Sequence, residues 1–190
     1  MTTYNTSALN YTWLVWLLIQ VPIILLIDGL HFLFPSWVYE LAGSPLHFAH
    51  RTKQDYITST NDAIAQWSPE GINGENAWIG FFLYAEIFTT LPVVLYAIWH
   101  LGVRRRGTSG ATELVLLVYG YHVALSTAMC IYSVLFWDPA VYSREAKRTL
   151  ILQYYAPWLA VPTLIFFDMA SRLFKRFRAA DAALATKKVQ

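Results

Sequence analysis

Two carboxylic acids stand where carboxylic acids are expensive. Asp28 lies within IILLIDGLHF and Glu86 within FFLYAEIFTT. An acid surrounded by hydrocarbon costs several kcal/mol and persists by facing a partner or a cavity. Asp28 precedes Phe34 by six residues, which puts it about 9 Å inside that end of its helix. Glu86 follows Trp78 by eight residues on a helix running the other way, about 12 Å below the same surface. The two carboxyls therefore share a level. Two close carboxyls in a low dielectric do not both ionise cheaply, so the pair is expected to share a proton. Such a pair can donate and accept protons, or hold an organic cation. The bland alternative is a ligand-free, hydrogen-bonded clamp between two helices. Pro22 lies six residues before Asp28 and Pro92 six after Glu86, so each helix is expected to bend and widen a cavity at the acid level.

Other groups come within range of that level. His122 stands near the middle of a third apolar stretch, with Tyr119 one turn before it and Ser126 one turn after, on one helix face. Tyr155 and Trp158 open a fourth stretch at i,i+3 spacing. Aromatics there usually anchor a helix at an interface, but turned inward they would stabilise a cationic ligand or a carbocation. His47 and His50 have no third ligand at metal spacing and are read as solvated, and the glycine-rich segment 71–74 carries no phosphate-binding pattern. No metal or cofactor is expected. Asp168 stands one turn before Arg172, an i,i+4 pair on a helix end read as solvated.

The elements that must position these groups are long apolar blocks. Hydrophobic residues make up 56% of the 190-residue chain and charged residues 14%, against about 25% charged in an ordinary soluble domain. With a net charge of +2 and one cysteine, Cys130, a nucleic-acid binder and a disulfide framework are excluded. A bilayer core needs roughly 20 apolar residues per helix, and four stretches supply them: about 11–34, 77–101, 112–137 and 150–174. The expected fold is an all-α membrane protein, a four-transmembrane-helix bundle over residues 1–174 with a cap at 35–76 and a basic tail at 175–190. The first apolar run is too long, and its start too poor in basic residues, for a cleaved signal peptide.

Nine of the fourteen Lys and Arg lie on the side of the two termini, at positions 104–106 and in the tail. The positive-inside rule therefore places both termini in the cytosol and the cap in a lumen. Two sequons, at Asn5 and Asn10, argue weakly the other way. The chain ends Lys187-Lys188-Val189-Gln190, a dilysine retrieval signal that predicts residence in the endoplasmic reticulum.

Four blocks in order, VPIILLIDGL (21–30), AWIGFFLYAEIFTTLP (77–92), LVYGYHVALST (117–127) and QYYAPWLAVP (153–162), with FAHRTKQDY (48–56) between the first two, resemble the EXPERA family, and within it most the sigma-2 receptor branch. That resemblance implies a lipid-lined cavity under a cap, a sterol, sterol-like molecule or hydrophobic amine as ligand, membrane lipid around it, and assembly as a homodimer, with no nucleic-acid partner. It implies that Asp28 holds a cationic amine, that Glu86 hydrogen-bonds Asp28, and that Asp55 is a second acid for ligand in the cap. Tyr119, His122, Ser126, Tyr155 and Trp158 fall on its cavity-lining positions. The sterol isomerase branch has a histidine four residues before the first acid, where this chain has Ile24. The expected function is therefore ligand binding, with an acid–base isomerase or cyclase using Asp28 and Glu86 as the alternative.

Overall fold

The computed structural model describes residues 4–68, 77–104 and 107–187, with the backbone alone at Lys187. Four helical stretches within it are long and apolar enough to cross a membrane: Leu9–Asp28, Ala77–Val103, Gly110–Phe136 and Arg144–Thr186. Helix is the form this solvent demands, because each backbone N–H and C=O finds its partner within the segment. Phe81, Phe88, Phe136 and Phe167 point outward, as side chains facing lipid tails do. With no strand among the described residues, the chain is an all-α membrane bundle.

Three of the four spans carry a widened, π-helical turn. Span 1 is α1 (Leu9–Ile23), a π turn at Ile24–Asp28 and α2 (Leu30–Leu33). The amide of Gly29 closes that turn on the Ile24 carbonyl at 2.7 Å. A Cβ at position 29 would stand 2.5 Å from the same oxygen, so the closure needs glycine. Span 2 is α4 (Ala77–Ala85), a π turn at Glu86–Thr90, α5 (Leu91–Ile98) and a second π turn at Trp99–Val103. Pro92 clashes with an α-helical carbonyl four residues back, that of Phe88, which falls inside the widened turn. Span 3 is α6 (Gly110–Phe136), capped by the Ser109 hydroxyl, which accepts from the Thr112 amide. Span 4 is α7 (Arg144–Thr149), a π turn at Leu150–Tyr155 and α8 (Ala156–Lys187). Pro157 stands four residues after Gln153 in that turn, as Pro92 does after Phe88.

Sequence boundaries and helices agree closely for the first three spans. The fourth begins earlier, at Arg144, and α8 continues past residue 174 to Lys187. The described part of the basic tail is thus the same helix as span 4. Proline bends were expected at Pro22 and Pro92. At Asp28 the widened turn follows Pro22 and is closed by Gly29, whereas at Glu86 it is the turn Pro92 forces.

The end of the bundle that carries the termini is tightly packed. Trp13 and Leu17 of span 1, Val94 and Ala97 of span 2, Leu116 and Tyr119 of span 3, and Ile165 and Met169 of span 4 form one buried cluster. At Gly120 the backbones of α6 and α8 nearly touch: an added Cβ would lie 2.7 Å from the Pro162 carbonyl oxygen, the small-residue contact by which membrane helices associate.

A polar network seals this end. Arg172 donates to Asp168 (2.6 and 3.0 Å), Asn10 Oδ1 (2.6 Å) and the Thr108 hydroxyl (3.1 Å). Trp13 Nε1 also donates to Asp168 at 2.7 Å. Arg176 pairs with the fully buried Glu113, which also accepts from Thr108. The expected Asp168–Arg172 pair forms, but Arg172 is buried rather than on a solvated helix end. Asn10, the second sequon, is buried in the same network.

At the opposite end a 3₁₀ turn (Ser36–Val38) leads to the cap helix α3 (His47–Thr60). Asn61 stops α3 in the left-handed conformation, φ 51°, a common helix ending. His47 and His50 are half-buried rather than solvated. His47 Nδ1 bonds the Tyr39 carbonyl at 3.2 Å, and the His50 ring packs against Tyr39. The segment 71–74 lies outside the described residues.

Candidate functional site: an acid-lined cavity beneath the cap

One widened turn from each of spans 1, 2 and 4 borders a cavity of about 310 Å³ between the spans and the cap, at the small end of the range for small-molecule sites. Asp28 ends the π turn of span 1 and Glu86 begins that of span 2. Both carboxyls line the cavity. A π turn inserts an extra residue into the helical register, a device common at functional sites. Here it re-aims one acid on each helix. No hydrogen bond joins the two carboxyls directly; they share the cavity and each other's field.

Behind Glu86 stands a polarised chain of side chains. Trp16 Nε1 donates to the Tyr119 hydroxyl at 2.9 Å, and that hydroxyl donates to Gln20 Oε1 at 3.1 Å. Gln20 and Glu86 both line the cavity. Indole N–H is a donor only, and the Tyr119 hydroxyl that accepts from it gives its own proton to Gln20 Oε1.

The cap contributes two charges of its own. Lys53, buried on α3, lines the cavity. Burial pulls its ammonium below the usual lysine range, and the Asp28 carboxylate partly offsets that. Asp62, directly after α3, is 1% exposed and accepts four hydrogen bonds. Its Oδ2 receives the Tyr56 hydroxyl (2.6 Å) and the Tyr155 hydroxyl (2.7 Å). Its Oδ1 receives the amides of Ile64 (2.8 Å) and Ala65 (3.3 Å). The Tyr155 bond ties the cap to span 4. Burial and the Asp62 carboxylate together push the Tyr56 phenol above its ordinary range.

Aromatic rings make up much of the remaining wall: Trp67 from the cap, Trp78 and Phe82 from span 2, Tyr154, Tyr155 and Trp158 from span 4. His122 packs its ring 5.9 Å from that of Phe82. The result is an apolar chamber with carboxyls on its helical walls and one ammonium in its roof.

Of the residues singled out in the sequence, Asp28, Glu86, His122, Ser126, Tyr155 and Trp158 come together around this cavity. Tyr119 stands behind Gln20 and supports the site through it. Asp55 does not reach the cavity: its side chain is 74% exposed and lies 3.8 Å from Arg51 on the outer face of α3. Among the described cap residues, the acid that faces inward is Asp62. Lys188 and the Lys187 side chain lie outside the described residues.

Sequence reasoning passed over Gln20, Lys53, Tyr56 and Asp62. Gln20 carried a signal, being an amide inside an apolar run, where polar side chains serve as contacts between helices. Lys53 and Asp62 carried none, since a charge in a connecting segment is ordinarily solvated. Only the fold of the cap over the bundle turns them inward.

Residues 48–169 match the family described as EXPERA (EXPanded EBP superfamily). Among curated proteins, the efficient mitochondria targeting-associated protein 19 of Schizosaccharomyces pombe is 27% identical over 105 residues, which is 55% of this chain and 51% of that protein. The protein of the same name from Saccharomyces cerevisiae is 23% identical over 124 residues, 64% of this chain and 67% of that protein. The chain thus spans about half the length of the first relative and two thirds of the second. The family match does not select the sigma-2 branch. Since it covers well over half the chain, from the cap helix into the fourth span, the chain belongs to the EXPERA superfamily.

Proposed function

We propose that this multi-pass membrane protein binds a sterol-like lipid or a hydrophobic amine in the cavity beneath its cap. The observation that carries the reading is the cavity itself: a chamber walled by aromatic rings, with Asp28 and Glu86 on facing spans and, among the described residues, no cation in ion-pair contact with either. An amine ligand would set its ammonium against Asp28 with rings around its hydrocarbon. We propose both termini on the cytosolic side, on the strength of the charge distribution, with the endoplasmic reticulum as the membrane. A homodimer is the assembly we infer, from family resemblance alone.

The competing reading is an acid–base isomerase or cyclase working through Asp28 and Glu86. Ile24 stands where the sterol isomerase branch has its histidine, and that favours binding over catalysis. Incorporation of deuterium from heavy water into a sterol or terpenoid product would reverse this judgement. A second reading comes from the names of the two yeast relatives: a membrane component that aids targeting to mitochondria. Unchanged arrival of mitochondrial precursors in cells lacking the chain would remove it.

The test of the main reading is Asp28→Asn, which keeps shape and hydrogen bonding and removes the charge. Charge-assisted hydrogen bonds are worth about 1.5–3 kcal/mol, so hydrophobic amines should bind at least about tenfold more weakly, while a neutral sterol without a hydroxyl loses much less. Equal losses for both would place the amine elsewhere.

A further inference from the structure

Lys53 is the one cation among the described residues that line the cavity. It is 8% exposed, and among the described residues it makes no ion pair and no hydrogen bond. A buried charge without a partner is costly and calls for a group to satisfy it. Asp28 acts on it through its charge but stands beyond ion-pair distance. Both line the same chamber, so cavity space is what a ligand finds beside them.

The chemistry of a group that could sit between an ammonium and a carboxylate is narrow. A carboxylate would satisfy Lys53 and meet repulsion from Asp28, Glu86 and Asp62. An ammonium would satisfy Asp28 and meet repulsion from Lys53. A ketone or an ether accepts from Lys53 and offers nothing to Asp28. A hydroxyl does both: its oxygen accepts from the ammonium and its proton is donated to the carboxylate. It does so without adding charge to the cavity.

Building on the ligand-binding reading above, we propose that Lys53 and Asp28 form a donor–acceptor clamp for the hydroxyl of a lipophilic alcohol. Lys53 then sets the cavity's preference, favouring alcohols and opposing amines. Asp62 is unavailable for the same task, because four hydrogen bonds already occupy it. Glu86 lines the same cavity from span 2.

The experiment measures three probes on the full chain in lipid nanodiscs: a 3-hydroxy sterol, its 3-methyl ether, and a sterol bearing a quaternary ammonium at the same carbon. Wild type should prefer the alcohol to the ether by at least about tenfold, the worth of one hydrogen bond to a charged group. Lys53→Met, similar in length and uncharged, should weaken the alcohol by about ten- to a hundredfold and strengthen the quaternary ammonium. Lys53→Arg should keep the alcohol preference. Opposite signs for two probes in one variant are not produced by misfolding, which lowers all binding together. Losses of one sign for all probes in Lys53→Met, or an alcohol-to-ether ratio unchanged in Asp28→Leu, would overturn the clamp and leave the cavity reading standing. Failure of every probe to bind wild type would remove the cavity reading and the clamp with it.

Discussion

Asp62 gives the sharpest test of how the cap is held. Its carboxylate is buried and accepts two phenol hydroxyls at 2.6 and 2.7 Å and two backbone amides at 2.8 and 3.3 Å. Asp62→Asn changes little in volume and leaves one oxygen, which can keep the two amides. The N–H₂ group then confronts the hydroxyls of Tyr56 and Tyr155, and both lose a charged acceptor. A hydrogen bond to a charged group is worth about 1.5–3 kcal/mol against about 0.5–1.5 for a neutral one. Two such exchanges cost roughly 2 kcal/mol. The Tyr155 bond crosses from cap to span 4, so this loss should appear as easier opening of the cap. Amide hydrogen exchange across α3 should accelerate by about tenfold or more, since about 1.4 kcal/mol is one factor of ten. Asp55→Asn is the control. Its partner Arg51 is on the solvated face at 3.8 Å, and exposed pairs are worth about 0–1 kcal/mol, so exchange should barely change. Equal acceleration in both variants, or none in Asp62→Asn, would refute the reading that Asp62 holds the cap to span 4.

Two further outcomes are expected. Lys53 loses its proton below the usual lysine range because burial disfavours the ammonium, so binding of a quaternary ammonium lipid should rise as alkaline pH discharges it. The titratable groups that line the same cavity are Asp28, Glu86, Asp62, His122, Cys130, Tyr56, Tyr154 and Tyr155; Tyr56 is pushed above its ordinary range. The same rise in Lys53→Met would assign the effect to another group. For topology, protease added to sealed endoplasmic-reticulum vesicles should remove a C-terminal tag and spare the cap; cleavage of the cap with the tag protected inverts the orientation.

The all-α membrane fold was legible because its cause is local. A bilayer demands about 20 apolar residues per helix, and four stretches meet that demand whatever their neighbours do. The two intramembrane acids were legible for the same reason, since their cost is set by the hydrocarbon around them. His122, Ser126, Tyr155 and Trp158 followed from helical spacing and resemblance, and all four reach the cavity. The cap was another matter. Asp55 and Asp62 are both acids in a polar connection, and no local property separates them. The ending of α3 at Asn61 and the reach of Tyr155 from span 4 decide that Asp62 turns inward. Lys53 reads as a solvated charge until α3 lies across the bundle and buries it. Likewise Arg172, legible as the partner of Asp168, is buried only because Asn10 and Thr108 arrive from distant parts of the chain. Periodicity and solvent cost act along the chain, so sequence alone determined the spans and their acids. Which polar side chains share a chamber depends on contacts between segments far apart in sequence, and those exist only once the helices pack.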